Sequence, residues 1–150
     1  MKITDQEILY KIFISTAEML PYMATHNYFG NKRGLGPTDE WSQKYATQIC
    51  TAFRESRFKT GLSSTQSMKR ITKLIDKGDL VADKHRPGDS FHFSLPAEAT
   101  RPMFERAFEL MIENGITKEP KDATGFDDVA KKVSSALILE FSGEFDRRAA

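Results

Sequence analysis

Apolar residues recur at helical spacing in five stretches of this chain and alternate with polar ones in a sixth. Ile8, Leu9, Ile12, Phe13, Met19, Leu20 and Met23 form the first helical set. Thr4 with Glu7 makes a capping box, and Ile3 with Ile8 a hydrophobic staple, so a helix is expected over about residues 4–25, ended or kinked by Pro21. Residues 26–37 hold Gly30, Gly34, Gly36 and Pro37 and read as a loop. Thr38 then caps a long helix whose stripe of Trp41, Tyr45, Ile49, Ala52 and Phe53 predicts its continuation to about Phe58. Lys59-Thr60-Gly61-Leu62 is a turn, with Gly61 suited to positive φ and Leu62 placed to plug between helices.

The next helix is written at both ends. Ser63 and Gln66 form a second capping box, and Gly78 can take the left-handed position after the last turn, near Lys73 and Lys77 at the negative end of the dipole. Met68, Ile71, Leu74 and Ile75 fall in one sector of about 120°, which predicts a buried face. The opposite face carries Thr65, Gln66, Lys69, Arg70, Lys73 and Lys77. Residues 79–84 and 90–95 then read as two strands around a type II turn at Arg86-Pro87-Gly88-Asp89, with Phe91, Phe93 and Leu95 inward and Ser90, His92 and Ser94 outward. After Pro96, Thr100 caps a helix over about 100–114, with Pro102 in its first turn and Gly115 at its end. A polar connector, 118–125, leads to a last helix over about 126–146 with Val129, Val133, Leu137, Ile138, Phe141 and Phe145 inward and Gly143 as a weak point. The fold class is mainly α with a small β-hairpin, in one domain of 150 residues.

The net charge of +1 hides an uneven distribution. Residues 54–86 contain nine Lys or Arg and four acids, a local charge of +5, and the remaining 13 basic and 17 acidic residues give −4. Cationic charge is therefore concentrated on the polar helix face and the hairpin tip Lys84-His85-Arg86, as a polyanion partner requires. The single Cys50 excludes an intramolecular disulfide and a Cys-based zinc site, the first residues are too polar for a signal peptide, and no apolar run is long enough to span a membrane. These features predict a cytoplasmic protein.

A capped helix with a basic outer face, the Gly78-Asp79-Leu80-Val81 exit and a short hairpin with a basic tip together resemble the recognition helix and wing of winged helix-turn-helix proteins, over about residues 38–96. Helices on both sides resemble the arrangement of MarR-type and PadR-type regulators, in which they form the homodimer interface. The resemblance implies a dimeric transcriptional regulator of double-stranded DNA that inserts the 64–77 helix in the major groove. Its DNA-binding residues would be Ser64, Thr65, Gln66, Lys69, Arg70, Lys73 and Lys77, with Arg70 and Gln66 suited to bidentate contacts with guanine and adenine. Lys84, His85 and Arg86, in a wing at 84–89, would lie on flanking backbone or in the minor groove. A protein-interaction module on the same scaffold, acting as an inhibitor or adaptor without DNA, is the alternative.

Enzymatic chemistry is not expected. His26, His85 and His92 lack metal-ligand spacing, no Gly-x-Ser-x-Gly, His-Glu-x-x-His or Walker pattern occurs, and Glu105, Glu109 and Glu113 read as a solvated helix face. No cofactor or metal is called for, and the sequence names no effector or operator.

Overall fold

The computed structural model describes residues 3–29, 51–52, 60–82, 92–116 and 123–148. Its elements in chain order are α1 (Asp5–Phe29), β1 (Thr51–Ala52), α2 (Ser64–Asp76), β2 (Val81–Ala82), β3 (His92–Ser94), α3 (Ala97–Glu113) and α4 (Ala123–Arg148). The architecture is mainly helical with a small antiparallel sheet. Of the loop expected at 26–37, residues 26–29 belong to α1, while 30–37, the helix start at Thr38, the hairpin turn at 86–89 and Cys50 lie outside the described residues.

α1 begins where the sequence places it. The Glu7 N–H donates to the Thr4 hydroxyl at 3.1 Å, and Glu7 reaches back to the Thr4 N–H at 3.4 Å. It does not stop at Pro21, however, and runs through His26 to Phe29. A proline inside a helix removes the N–H that would bond to the carbonyl four residues back, here Ala17. The Ser134 hydroxyl on α4 donates to that carbonyl at 3.0 Å, and both residues are buried. The acceptor opened by Pro21 thus becomes a bond between two helices, and the helix continues past the proline.

One core joins the elements. Leu9, Ile12, Phe13 and Leu20 of α1 pack with Phe104 and Phe108 of α3, Val133 and Leu137 of α4, Ile71 and Leu74 of α2, and Phe93 of β3. Phe13 stacks on Phe145 with ring centroids 4.4 Å apart, and Phe104 meets Phe108 edge-on at 4.8 Å. At the far end of the α1–α4 seam the Tyr22 hydroxyl donates to Asp127 at 2.6 Å, which raises the Tyr22 pKa above the ordinary phenol value. Across the α3–α4 surface, Arg106 meets Glu140 at 2.9 Å and Glu109 at 2.8 Å, with Glu113 at 3.6 Å. Glu109 and Glu113 are therefore partners of one guanidinium and not only a solvated face.

This packing covers the inner faces of α1, α3 and α4 within the single chain. Leu137 has no solvent exposure within the single chain, and Phe104, Ala107, Phe108 and Val133 are likewise buried there. The stripes that invited a second copy are covered by one another.

Three further boundaries differ from the sequence expectation. Thr51 and Ala52 are not part of a helix reaching Phe58 but form β1, paired antiparallel with β3 through Thr51 opposite Phe93 and Ala52 opposite His92. Since β2 occupies the other edge of β3, with Val81 opposite Ser94 and Ala82 opposite Phe93, β1 satisfies backbone groups that an isolated hairpin would leave open. Ser94, expected to face outward, is buried in this central strand. α3 starts at Ala97, because Pro96 takes the cap position and the Thr100 N–H donates back to its carbonyl at 3.1 Å; Thr100 lies inside the helix. α4 starts at Ala123, three residues before the expected 126, and passes through Gly143 to Arg148.

If Ser134 closes the gap made by Pro21, the two positions must be energetically coupled. Ser134→Ala leaves a buried carbonyl unpaired and should destabilise the chain by about 1–3 kcal/mol in urea unfolding. In a Pro21→Ala background, where residue 21 regains its N–H, the same change should cost less than half as much. Equal costs in the two backgrounds would refute the coupling. Leu137→Asp should abolish the cooperative unfolding transition itself, whatever the protein concentration.

Candidate nucleic-acid interface

The candidate surface is the outer face of α2, and its precision depends on how both ends of that helix are fixed. At the start the Gln66 N–H donates to the Ser63 hydroxyl, and the Ser63 N–H donates to Gln66 Oε1, each at 3.2 Å. Before it, Gly61 has φ of 76°, and the buried Thr60 hydroxyl lies 2.9 Å from the buried Ser67 hydroxyl while accepting from the Leu62 N–H at 3.2 Å. Leu62 is half-buried against the core, as a plug between elements should be. At the far end Gly78 has φ of 85°, and the Asp79 N–H returns to the Leu74 carbonyl at 2.9 Å, a Schellman closure that carries the chain to buried Leu80 and into β2. Ile71 and Leu74 hold the inner face in the core, with Met68 and Ile75 half-buried beside them.

The outer face presents Thr65, Gln66, Lys69, Thr72, Lys73, Asp76 and Lys77 to solvent. Lys69, Lys73 and Lys77 stand on successive turns, a row about 12 Å long at 1.5 Å rise per residue. Lys77 has one loose carboxylate neighbour, Asp79 at 3.9 Å, an exposed contact of little energetic weight. Beside the lysine row, Thr65, Met68, Lys69, Arg70, Thr72, Lys73 and Asp76 line an open depression of about 730 Å³.

Two residues expected to read bases are engaged otherwise. Arg70 turns away from the lysine row. Its Nε donates to Asp5 Oδ1 at 2.9 Å, and its Nη2 donates to the same oxygen at 2.6 Å and to the Ile3 carbonyl at 3.0 Å. Its side chain retains 26% exposure, and Nη2, which either bidentate mode of guanine contact would use, already donates to both Asp5 and Ile3. Gln66 is exposed, but its Oε1 is the acceptor of the capping box, so a bidentate adenine contact would compete with the cap that starts its own helix. Ser64 is the first residue of α2. Lys84, His85 and Arg86 lie outside the described residues.

Sequence reasoning missed Asp5 and the Thr60–Ser67 pair. Ser67 offers a weak signal, a small polar residue inside the apolar sector, whereas nothing near Arg70 in the chain points to a partner 65 residues away. Among the described residues no group of three or more His, Cys, Asp or Glu side chains is placed to hold a metal ion, and no helix is long and apolar enough to cross a membrane. No protein-family model matches the chain, and no curated protein and no solved structure matches it either.

The left-handed turn after α2 sets where the row of lysines ends. A Cβ at Gly78 would meet nothing within 4 Å, so Gly78→Ala isolates the cost of positive φ, expected at about 1–2 kcal/mol in thermal or urea unfolding. Gly78→Asn should recover part of that loss. A neutral alanine would mean that the chain leaves α2 by another route.

Proposed function

We propose that this chain is a sequence-specific double-stranded DNA-binding protein of the winged helix-turn-helix type, acting as a transcriptional regulator with α2 in the major groove. The observation that carries the reading is the solvent-facing row of Lys69, Lys73 and Lys77 on a helix fixed at both ends and docked by its other face. Duplex DNA offers one negative charge per ~1.7 Å of axis, and three cations on one rigid edge can displace condensed counterions without further ordering of the backbone. The strand order supports the same reading. A helix entered through a tight turn and followed by two antiparallel strands, with an earlier strand holding the outer edge of the second, is the layout of a winged helix-turn-helix.

Within this proposal the residues divide by chemistry. Lys69, at the centre of the exposed face, and Thr65, one turn before it, are the candidates for base edges, since a lysine ammonium suits guanine O6 and N7 and a hydroxyl suits either donor or acceptor. Lys73 and Lys77 serve phosphates. Gln66 keeps its amide N–H donors for one further contact, and Ser64 stands at the helix start, where backbone N–H groups favour a phosphate. The wing residues Lys84, His85 and Arg86 are assigned to flanking backbone or the minor groove. Arg70 is not assigned to a base. With the inner faces of α1, α3 and α4 buried in one chain, the DNA-contact proposal rests on the single chain and needs no dimer through Leu137.

Binding of the chain to mixed-sequence duplex DNA should weaken linearly in log–log form as salt is raised. Replacing Lys73 and Lys77 by alanine should flatten that slope by about 1.8, two phosphate contacts at about 0.9 each. Fluorescence anisotropy over a salt series measures both. Absence of binding at the lowest salt would contradict the proposal and favour the protein-interaction module.

A further inference from the structure

Arg70 is the one α2 cation held by three hydrogen bonds, and the group that holds it is a carboxylate on a different helix. Its exposed neighbours Lys69 and Lys73 lie at the adjoining positions around α2, so the guanidinium sits at the border of the proposed DNA face and not at its far side. The Nε–Nη2 edge, with both hydrogens on Asp5 Oδ1, is the same planar fork that grips phosphate oxygens. From this geometry we infer that Asp5 belongs to the nucleic-acid interface as an affinity-limiting residue: its carboxylate occupies the Arg70 fork that a DNA phosphate would otherwise take. The inference rests on the DNA-binding reading and adds a residue that lies outside the helix-turn-helix and wing.

A carboxylate and a phosphodiester are both anionic acceptors of a guanidinium fork, so one can replace the other without leaving the arginine unpaired. Asp5 is more than a third exposed at its side chain and Arg70 about a quarter, so the pair sits at the surface, where exchange for an incoming anion does not require the core to open. Asp5 is also the first residue of α1, where a negative side chain favours the helix dipole, so a separate local gain helps to keep the carboxylate in place when no DNA is present. Among the described residues the Nη1 edge of Arg70 has no partner, which leaves a first point of approach for a phosphate before the fork is released.

The test is a double-mutant cycle read by DNA affinity and salt slope on mixed-sequence duplex, with the folded state of each variant checked by thermal unfolding. Asp5→Asn keeps size and hydrogen bonding but removes the competing charge. It should bind about three- to tenfold tighter at low salt, with a slope steeper by about 0.9. The gain should vanish when Arg70→Ala is added, because it belongs to the released fork and not to the general loss of a negative charge. Arg70→Ala alone should bind close to wild type. A gain that persists without Arg70, or an Asp5→Asn variant no tighter than wild type, overturns the inference while leaving DNA binding intact. If neither wild type nor Asp5→Asn binds duplex at the lowest salt, the DNA-binding reading itself is what fails.

Discussion

The two C-terminal helices both pack on α1, and α1 runs on through Pro21 with the Ala17 carbonyl, four residues back, accepting from the Ser134 hydroxyl of α4. A buried acceptor without a partner is one of the more costly defects a small protein can carry, so the proline would otherwise favour a break. The bond from α4 turns that defect into registry. It fixes the height at which α4 crosses α1, and with that height set, Phe13 can stack on Phe145 on one side of the crossing and Tyr22 can reach Asp127 on the other.

From that column the fold extends to the surface proposed to meet DNA. α2 docks by Ile71 and Leu74 into the same core, is oriented at one flank by the Arg70 bonds to Asp5 and Ile3, and leaves through Gly78 into β2. The row of lysines is thus carried by an element whose position is determined from three directions: the core below, the start of α1 beside it and the sheet after it. A rigid cationic edge loses little conformational entropy on meeting a regular polyanion, which is why placement matters here more than the number of charges.

What could be read in the sequence was what is decided within a few residues. Both capping boxes, Thr4 with Glu7 and Ser63 with Gln66, formed as expected because their bonds span three residues. The positive φ of Gly61 and Gly78, the antiparallel pairing of the strands after α2 and the end of α3 near Gly115 were legible for the same reason. The misses share the opposite property. Pro21 predicts an end or a kink, and α1 instead runs on to Phe29, with Ser134 reaching the Ala17 carbonyl from 117 residues away. Ala52 fits a helical stripe, yet Thr51 and Ala52 pair with the edge of β3. The candidate site shows the same division: Thr65, Lys69, Lys73 and Lys77 are exposed as their positions on the helix imply, whereas Arg70 was assigned by residue type and is claimed by Asp5 through tertiary structure.

The central claim is that the outer face of α2, and not some other charged surface, meets the polyanion. Backbone amide exchange measured along the whole chain, with and without saturating duplex DNA, tests it most directly, since it locates contact without presuming which side chains matter. The account predicts added protection centred on residues 64–77, with α3 and the Arg106–Glu140 surface of α4 unchanged. Protection confined to α3 or α4, with α2 unaffected, would contradict it.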